Sequence, residues 1–308
     1  MRGHFFSRSV MVMSGLVPAL LWAAPKPEDS YLVHPSTQTV QRREAVLALG
    51  GSKDSQAVSK LVSALSDKDP MTRMLAAQGL GTLKAASTQA ALARSLATDT
   101  DAEVRQAAAV SLRQIEDPAA VDALGKALKD SSPNVRVTAL AGLAHYKVAG
   151  SGPLVEALCK DNAVEVRRTA VFVLGRLEDH AAVPTLEGLL KSDPDGAVRA
   201  GAAQALGDLR AAESKEALRP LLKDPVKIVQ ASAARSLTIL GDNSGFEIAK
   251  TLAQDSDLGV SIIAIDALGW SKDPGAEAEL QTLLTQASEN IRPAIQAALA
   301  RQKQIRKQ

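Results

Sequence analysis

The chain has 308 residues, 46% of them apolar, 23% charged and 3% aromatic, with 20 Gly, 14 Pro and one Cys. That apolar fraction excludes an intrinsically disordered chain, Gly and Pro without a triplet period exclude collagen, and a single thiol excludes a disulfide scaffold. Lys and Arg number 36 against 34 Asp and Glu; the first 24 residues hold Arg2 and Arg8 and no acid, so the remainder balances at 34 against 34 and sets up no field to draw in nucleic acid or an acidic membrane.

In chain order, the first element is a targeting segment. Met1–Arg8 carries two Arg, Val10–Trp22 is an apolar run broken only by Ser14, Gly15 and Pro18, and Ala23-Ala24 follow. This is the layout of a secretory signal over 1–24, too short to span a bilayer, and it leads us to expect export to the periplasm, cell envelope or exterior. Leu21 or Trp22 three residues before the cut and Pro25 after it leave an uncleaved anchor as the other reading. No Cys follows the run, which excludes a lipid-anchored start. Residues 25–38, with three Pro and little apolar content, read as a leader.

From residue 39 to 303 the chain repeats itself. An Arg recurs at Arg42, Arg73, Arg105, Arg136, Arg167, Arg199 and Arg292 in steps of 31 or 32, and the same step falls on Gln230 and Ser261. Seven positions after each of these nine starts stands a Leu, from Leu49 to Leu299, and three positions after all but the last stands an Ala, from Ala45 to Ala264. With Val or Ile usually one position before the start, these residues share one helical face, so each unit opens with an amphipathic helix, the A helix. A second apolar period follows in pairs such as Leu61 and Leu65, or Leu124 and Leu128, and predicts a B helix. Asp54, Asp117, Asp179, Asp242 and Asp273 stand at one repeat position ahead of it, where a carboxylate accepts from the unpaired N–H groups of a helix start.

A second ladder stands six residues before each start: Asp67, Asp99, Asp130, Asp161, Asp193, Asp224 and Asp255. An Asp closing one helix pair and an Arg opening the next, as in Asp67 and Arg73, are placed to pair, giving a structural ladder of Asp67, Asp99, Asp130, Asp161 and Asp193 with Arg73, Arg105, Arg136, Arg167 and Arg199. Read as partly exposed, each pair contributes about 0–1 kcal/mol and serves register more than stability.

A 31-residue helix pair with Asp-x5-Arg and the run Val166-Arg167-Arg168-Thr169-Ala170-Val171-Phe172-Val173-Leu174-Gly175 resembles HEAT repeats, specifically the phycobilisome-lyase HEAT-like type of the armadillo-like helical superfamily. The resemblance covers 39 to about 303. It implies an all-α chain, a right-handed α-solenoid of about eight pairs plus a C-terminal half repeat, with A helices convex and B helices lining the concave side. Independently of the family, neither helix of a unit can bury its face alone, so neighbours must stack, at about 10 Å per layer, into an arc of ~80 Å.

Chemistry is harder to find. The deoxyhypusine hydroxylases, which look like this repeat, hold two irons through paired His-Glu dipeptides, and His-Glu occurs nowhere here. Outside the signal and leader the His residues are His145 and His180, expected in A-to-B turns near Glu178 and Asp179 and read as solvated rather than as ligands. No Gly-x-Ser-x-Gly elbow appears, and Cys159 fills a position that holds Leu65, Leu128 and Leu222 elsewhere, so it reads as core. Phe172 reads as packing. Lys60, Lys126 and Lys160 are interleaved with Glu156, Glu187 and Glu216 in the B helices, which leaves no basic stripe for nucleic acid. Arg301, Lys303, Arg306 and Lys307 make a basic end, with 304–308 as its tail.

Gln230 and Ser261 break the Arg series while Asp224 and Asp255 remain, so the expectation is that two carboxylates lose their partners and that residues 224–272 form a softer joint or docking region, with Ile239 and Trp270 exposed as partner contacts. The function expected from these residues is an exported, non-catalytic, monomeric scaffold that binds another protein and needs no metal or cofactor. The alternative is an enzyme or maturation factor of the lyase or hydroxylase type, disfavoured by the missing His-Glu motifs.

Overall fold

The computed structural model describes residues 35–305 apart from Lys53 and residues 147–149. The signal (1–24), most of the leader and the last three residues of the basic tail lie outside the described residues. From Arg43 onward the chain forms one compact unit.

The described residues contain no strand. In chain order the α-helices are α1 (Thr37–Gly50), α2 (Ala57–Ala64), α3 (Pro70–Thr82), α4 (Gln89–Thr98), α5 (Ala102–Ile115), α6 (Ala120–Ala127), α7 (Pro133–Tyr146), α8 (Gly152–Ala157), α9 (Val164–Leu177), α10 (Val183–Ser192), α11 (Gly196–Asp208), α12 (Lys215–Leu218), α13 (Lys227–Ile239), α14 (Phe246–Leu252), α15 (Leu258–Trp270), α16 (Ala276–Gln286) and α17 (Arg292–Ile305). Odd numbers are the A helices and even numbers the B helices of an α-solenoid. The B helices are the less regular set. After α12 the chain tightens into a 3-10 segment over Arg219–Lys223, because Pro220 has no N–H to continue the α-helical ladder.

The repeated residues are the core. Ala76, Ala108, Ala139, Ala170, Ala202, Ala233 and Ala264 are fully buried, as are Leu80, Leu112, Leu174, Leu206, Leu237 and Leu268. Burying one such Leu stabilises the fold by about 1.5–3 kcal/mol, and the Ala beside it keeps the helices close enough for the Leu to reach. Asp54, Asp117, Asp179, Asp242 and Asp273 each accept the backbone N–H two residues on, at 2.8–3.0 Å, and so open the B segments.

Successive A helices meet through small residues. A Cβ on Gly81 would lie 2.6 Å from Ser111 Oγ, and one on Gly207 2.5 Å from Ser236 Oγ. The two Ser are fully buried and donate across the junction to the carbonyls of Ala77 and Ala203, at 2.8 and 2.7 Å. Each A helix that ends in a left-handed residue does so eleven positions after the repeated Arg or Gln of its unit: Lys84, Glu116, Glu178 and Arg210 at φ 48–61°, and Gly241 at 78°.

The apolar core has two parts that meet inside α13. Val229, Ala233 and Leu237 belong to the cluster that reaches back to Val46; Ala231 and Ala234 belong to the cluster that runs on to Ala298. One helix is thus a wall shared by both.

Candidate functional site

The Asp–Arg ladder is real, but its pairing is shifted by one unit from the expectation. Arg73 does not take the Asp67 carboxylate; it grips Asp99, 26 residues later, with Nε–Oδ2 at 2.8 Å and Nη2–Oδ1 at 2.7 Å. Arg105 takes Asp130, Arg136 takes Asp161, Arg167 takes Asp193 and Arg199 takes Asp224, all bidentate at 2.7–3.2 Å. What each Arg takes from the Asp six residues before it is the backbone carbonyl, through Nη1 at 2.8–3.0 Å. Each guanidinium therefore spans a junction: one nitrogen ties down its own entry turn and two hold the carboxylate that closes the following B segment. The same carboxylates accept the N–H two residues on, as Asp161 does from Ala163 at 2.8 Å.

These pairs are also far less exposed than expected; Arg136 and Asp161 keep 14% and 9% of their side-chain surface. Burial by itself pushes the Asp99, Asp130, Asp161 and Asp224 carboxyls up. The Arg hydrogen bonds, the backbone N–H and the guanidinium charge outweigh it, and all four sit below the usual carboxylate range. A second rung parallels the ladder where Arg43 grips Asp69 and Arg168 grips Asp195; the Arg168 hydrogen bonds hold the Asp195 carboxyl at about 2.

The departures at Gln230 and Ser261 do not strand any carboxylate. Asp224 keeps Arg199, and Asp255 is taken by Lys227 at 2.6 Å. Gln230 Nε2 donates to the Asp224 carbonyl at 2.6 Å and so preserves the backbone half of the rung, while Ser261 Oγ donates to the Ala253 carbonyl. The exposed apolar residues of this region are Val226 and Leu258 rather than the expected pair. Ile239 and Trp270 are only half-exposed, and Trp270 is faced by Arg301, 4.6 Å from its ring centroid, and by Arg210 at 5.9 Å. Arg301 also reaches Asp266, which with Asp208 holds Arg235. The C-terminal helix α17 supplies that cover, and nothing in a single unit announces it. Phe172 errs in the opposite direction: it is 53% exposed on α9, with the Arg176 guanidinium 5.9 Å from its ring, rather than packed.

Cys159 is buried at 2% exposure, and burial pushes its thiol up to about 12, so it is a protonated core residue at neutral pH. His145 lies in the last turn of α7, edge-on to Tyr146 at 5.3 Å, and His180 in the short turn before α10; both are exposed. Among the described residues no three His, Cys, Asp or Glu side chains gather closely enough to hold a metal ion. No described helix is long and apolar enough to cross a membrane.

The B helices carry a polar bridge from unit to unit. Twenty positions after the start, Glu156 accepts from Thr185 Oγ1 at 2.5 Å, Glu187 accepts from Ser214 Oγ at 2.7 Å, Arg219 donates to Asp242 at 2.9 Å and Lys250 pairs with Glu279 at 3.5 Å. Sequence reading missed this series because the bridging residue changes sign and type along it. The same position in the third unit is Gly125.

Four overlapping matches to the family model of HEAT repeats, over residues 30–113, 96–164, 151–238 and 221–300, take in nearly the whole described chain. The chain belongs to the HEAT-repeat family. It is 31% identical over 229 residues to deoxyhypusine hydroxylase-B of Oryza sativa, covering 64% of this chain and 76% of that one. It is 26% identical over 270 residues to deoxyhypusine hydroxylase of Rattus norvegicus, covering 77% and 86%. Among solved structures, YibA of Escherichia coli matches with a TM-score of 0.56 at 24% identity, covering 88% of this chain and 98% of that one, a likeness of fold alone.

Those curated relatives are named as enzymes. That overturns the expectation that this HEAT-repeat protein is a non-catalytic scaffold and not an enzyme. The physical reason is that the residues the reading rested on are packing residues, which catalytic and non-catalytic solenoids share. The iron pair of the hydroxylases does not fit this chain, however. His-Glu is absent from the sequence, His145 and His180 are exposed on different turns, and among the described residues no cluster of acidic groups joins them.

Proposed function

We propose that this HEAT-repeat protein is a maturation enzyme that grips another protein along its B helices and modifies it. The observation that carries the reading is the 31% identity, over three quarters of that relative's length, to a protein named as a deoxyhypusine hydroxylase, an enzyme. HEAT repeats commonly mediate protein interaction, and from the fourth unit to the seventh polar bridges tie the B segments together, leaving charged and hydroxyl groups along which a client can lie. Iron chemistry is no part of the proposal, because the donor set does not fit it.

The N-terminal signal over 1–24 belongs to the same proposal: the client is met after export. Cell fractionation tests that part, with the protein expected outside the cytoplasm and a purely cytoplasmic protein contradicting it. For the function itself, the protein is cross-linked in intact source cells, its client is identified by mass spectrometry, and the client's intact mass is compared between cells with and without the protein. A mass difference that the restored protein reverses supports the reading. Identical masses overturn it.

A further inference from the structure

The third and fourth units leave a gap in the B-helix row. In the fourth to seventh units the residue twenty positions after the start pairs with a residue of the next unit; in the first three it is Val62, Ala93 and Gly125, none of which carries a polar group, and Gly125 has no side chain at all. On its other side α8 is drawn toward α10. Glu156 takes the Thr185 hydroxyl, and the Asp179 carboxylate lies where a Cβ on Gly152 would stand, at 2.0 Å. A groove of about 660 Å³ is left between α6 and α8 over the end of α7, within the range of ~300–1,000 Å³ in which proteins bind ligands.

The groove's apolar wall is Val121, Leu143 and Leu154, and Leu154 stands 48% exposed in it. On the other wall are Asp122, Lys126 and Lys129. Lys126 pairs only with the exposed Asp122, and among the described residues Lys129 has no ion-pair partner. Apolar methyls beside an unpartnered cation suit a ligand that carries the complementary pair, an apolar side chain next to a carboxylate.

We propose that this groove is a docking site for an extended protein segment that presents a leucine-like anchor between acidic residues, the anchor lying against Leu154 and a carboxylate meeting Lys129. The inference rests on the client-binding reading above and names where and by what chemistry the client is first held. A Cβ on Gly125 would meet nothing within 4 Å, so the site can be filled without disturbing the fold. Gly125→Glu restores to the third unit the side chain that Glu156 and Glu187 supply to their own.

The test uses the full chain and three fluorescein-labelled synthetic peptides: two leucines flanked by aspartates, two leucines flanked by lysines, and two serines flanked by aspartates. Fluorescence anisotropy is expected to show saturable binding of the first alone, weakened by added salt and at least tenfold weaker in Gly125→Glu and in Lys129→Glu, while circular dichroism melts show neither variant less stable than the parent. Binding of the lysine or serine peptide equal to the first overturns the inference, as does unchanged affinity in Gly125→Glu or no binding at all. Self-association that Gly125→Glu abolishes, without peptide binding, makes a second copy the occupant and overturns it too. If Gly125→Glu still restores the client's mass in cells, the groove proposal fails and the proposed function stands; if peptides bind as expected but client mass never depends on the protein, the function fails and the docking site stands.

Discussion

Removing one ladder carboxylate tests the strength assigned to the rungs. In Asp161→Ala, Arg136 loses both charge-assisted bonds, at 2.8 and 2.7 Å, and Ala163 N–H loses its acceptor at 2.8 Å. Arg136 retains the Asp130 carbonyl but is left largely buried without a counter-charge. Stripping one partner from a fully buried pair costs about 3–5 kcal/mol, an exposed pair is worth about 0–1, and a lost cap costs about 1. With a tenth or so of each side chain still wetted, the expected loss is about 3 kcal/mol. Solenoid units do not unfold as one, so the assay is native-state hydrogen exchange on α7 and α9, with urea melts beside it. Arg136→Met with Asp161→Ala should cost less than the two single changes summed, by about 1–2 kcal/mol. A single-mutant loss below about 1 kcal/mol would refute the reasoning and return the ladder to a surface decoration.

Acid should unfold the protein through the same groups. A carboxyl held below its unfolded value adds stability that is complete above that value, near ~4, and lost as pH falls through the folded one, about 2 for Asp195. The urea midpoint is expected to be flat from about pH 7 to 5 and to fall between about 4 and 2; a fall already under way at pH 6 contradicts this. Cys159, with its thiol pushed up to about 12, should resist iodoacetamide at pH 8 and react once urea unfolds its unit; rapid labelling of the native protein tells against it. Gly207→Ala should destabilise by about 1–3 kcal/mol because its Cβ meets Ser236, whereas Gly188→Ala on α10, with nothing within 4 Å, should gain up to about 1 kcal/mol; equal effects in thermal melts contradict the close approach. Glu178→Gly, at a left-handed helix end with φ 56°, should raise stability by about 0.5–1 kcal/mol, and a loss in the same melts counts against the strain.

The fold was legible because its packing residues recur: Ala108 and Leu112 mean little alone, but eight copies of their spacing define a helix, its face and its neighbour. The ladder was half legible. Its residues stand out in the sequence, but six residues of separation favoured pairing Asp67 with Arg73, whereas stacking brings Asp99, 26 residues away, to the guanidinium and leaves only the Asp67 carbonyl for it. Trp270 was misjudged because its cover, Arg301, comes from a different helix, and exposure is a property of the assembled stack. The groove was invisible because its walls, Val121 and Lys129 on one side and Leu154 on the other, come from two different units and meet only in the assembled stack. Function was least legible, since a repeat selected for packing is shared by solenoids with different activities.

The most direct test of the central claim is reconstitution with purified components. Client taken from cells lacking the protein is mixed with a small fraction of its molar amount of the full chain, in the soluble extract of those same cells as the source of any co-substrate, and followed by intact-mass spectrometry. A maturation enzyme is expected to convert client in many-fold excess over itself, and Gly125→Glu to slow that conversion. Client that keeps its mass however much protein is added would contradict the account.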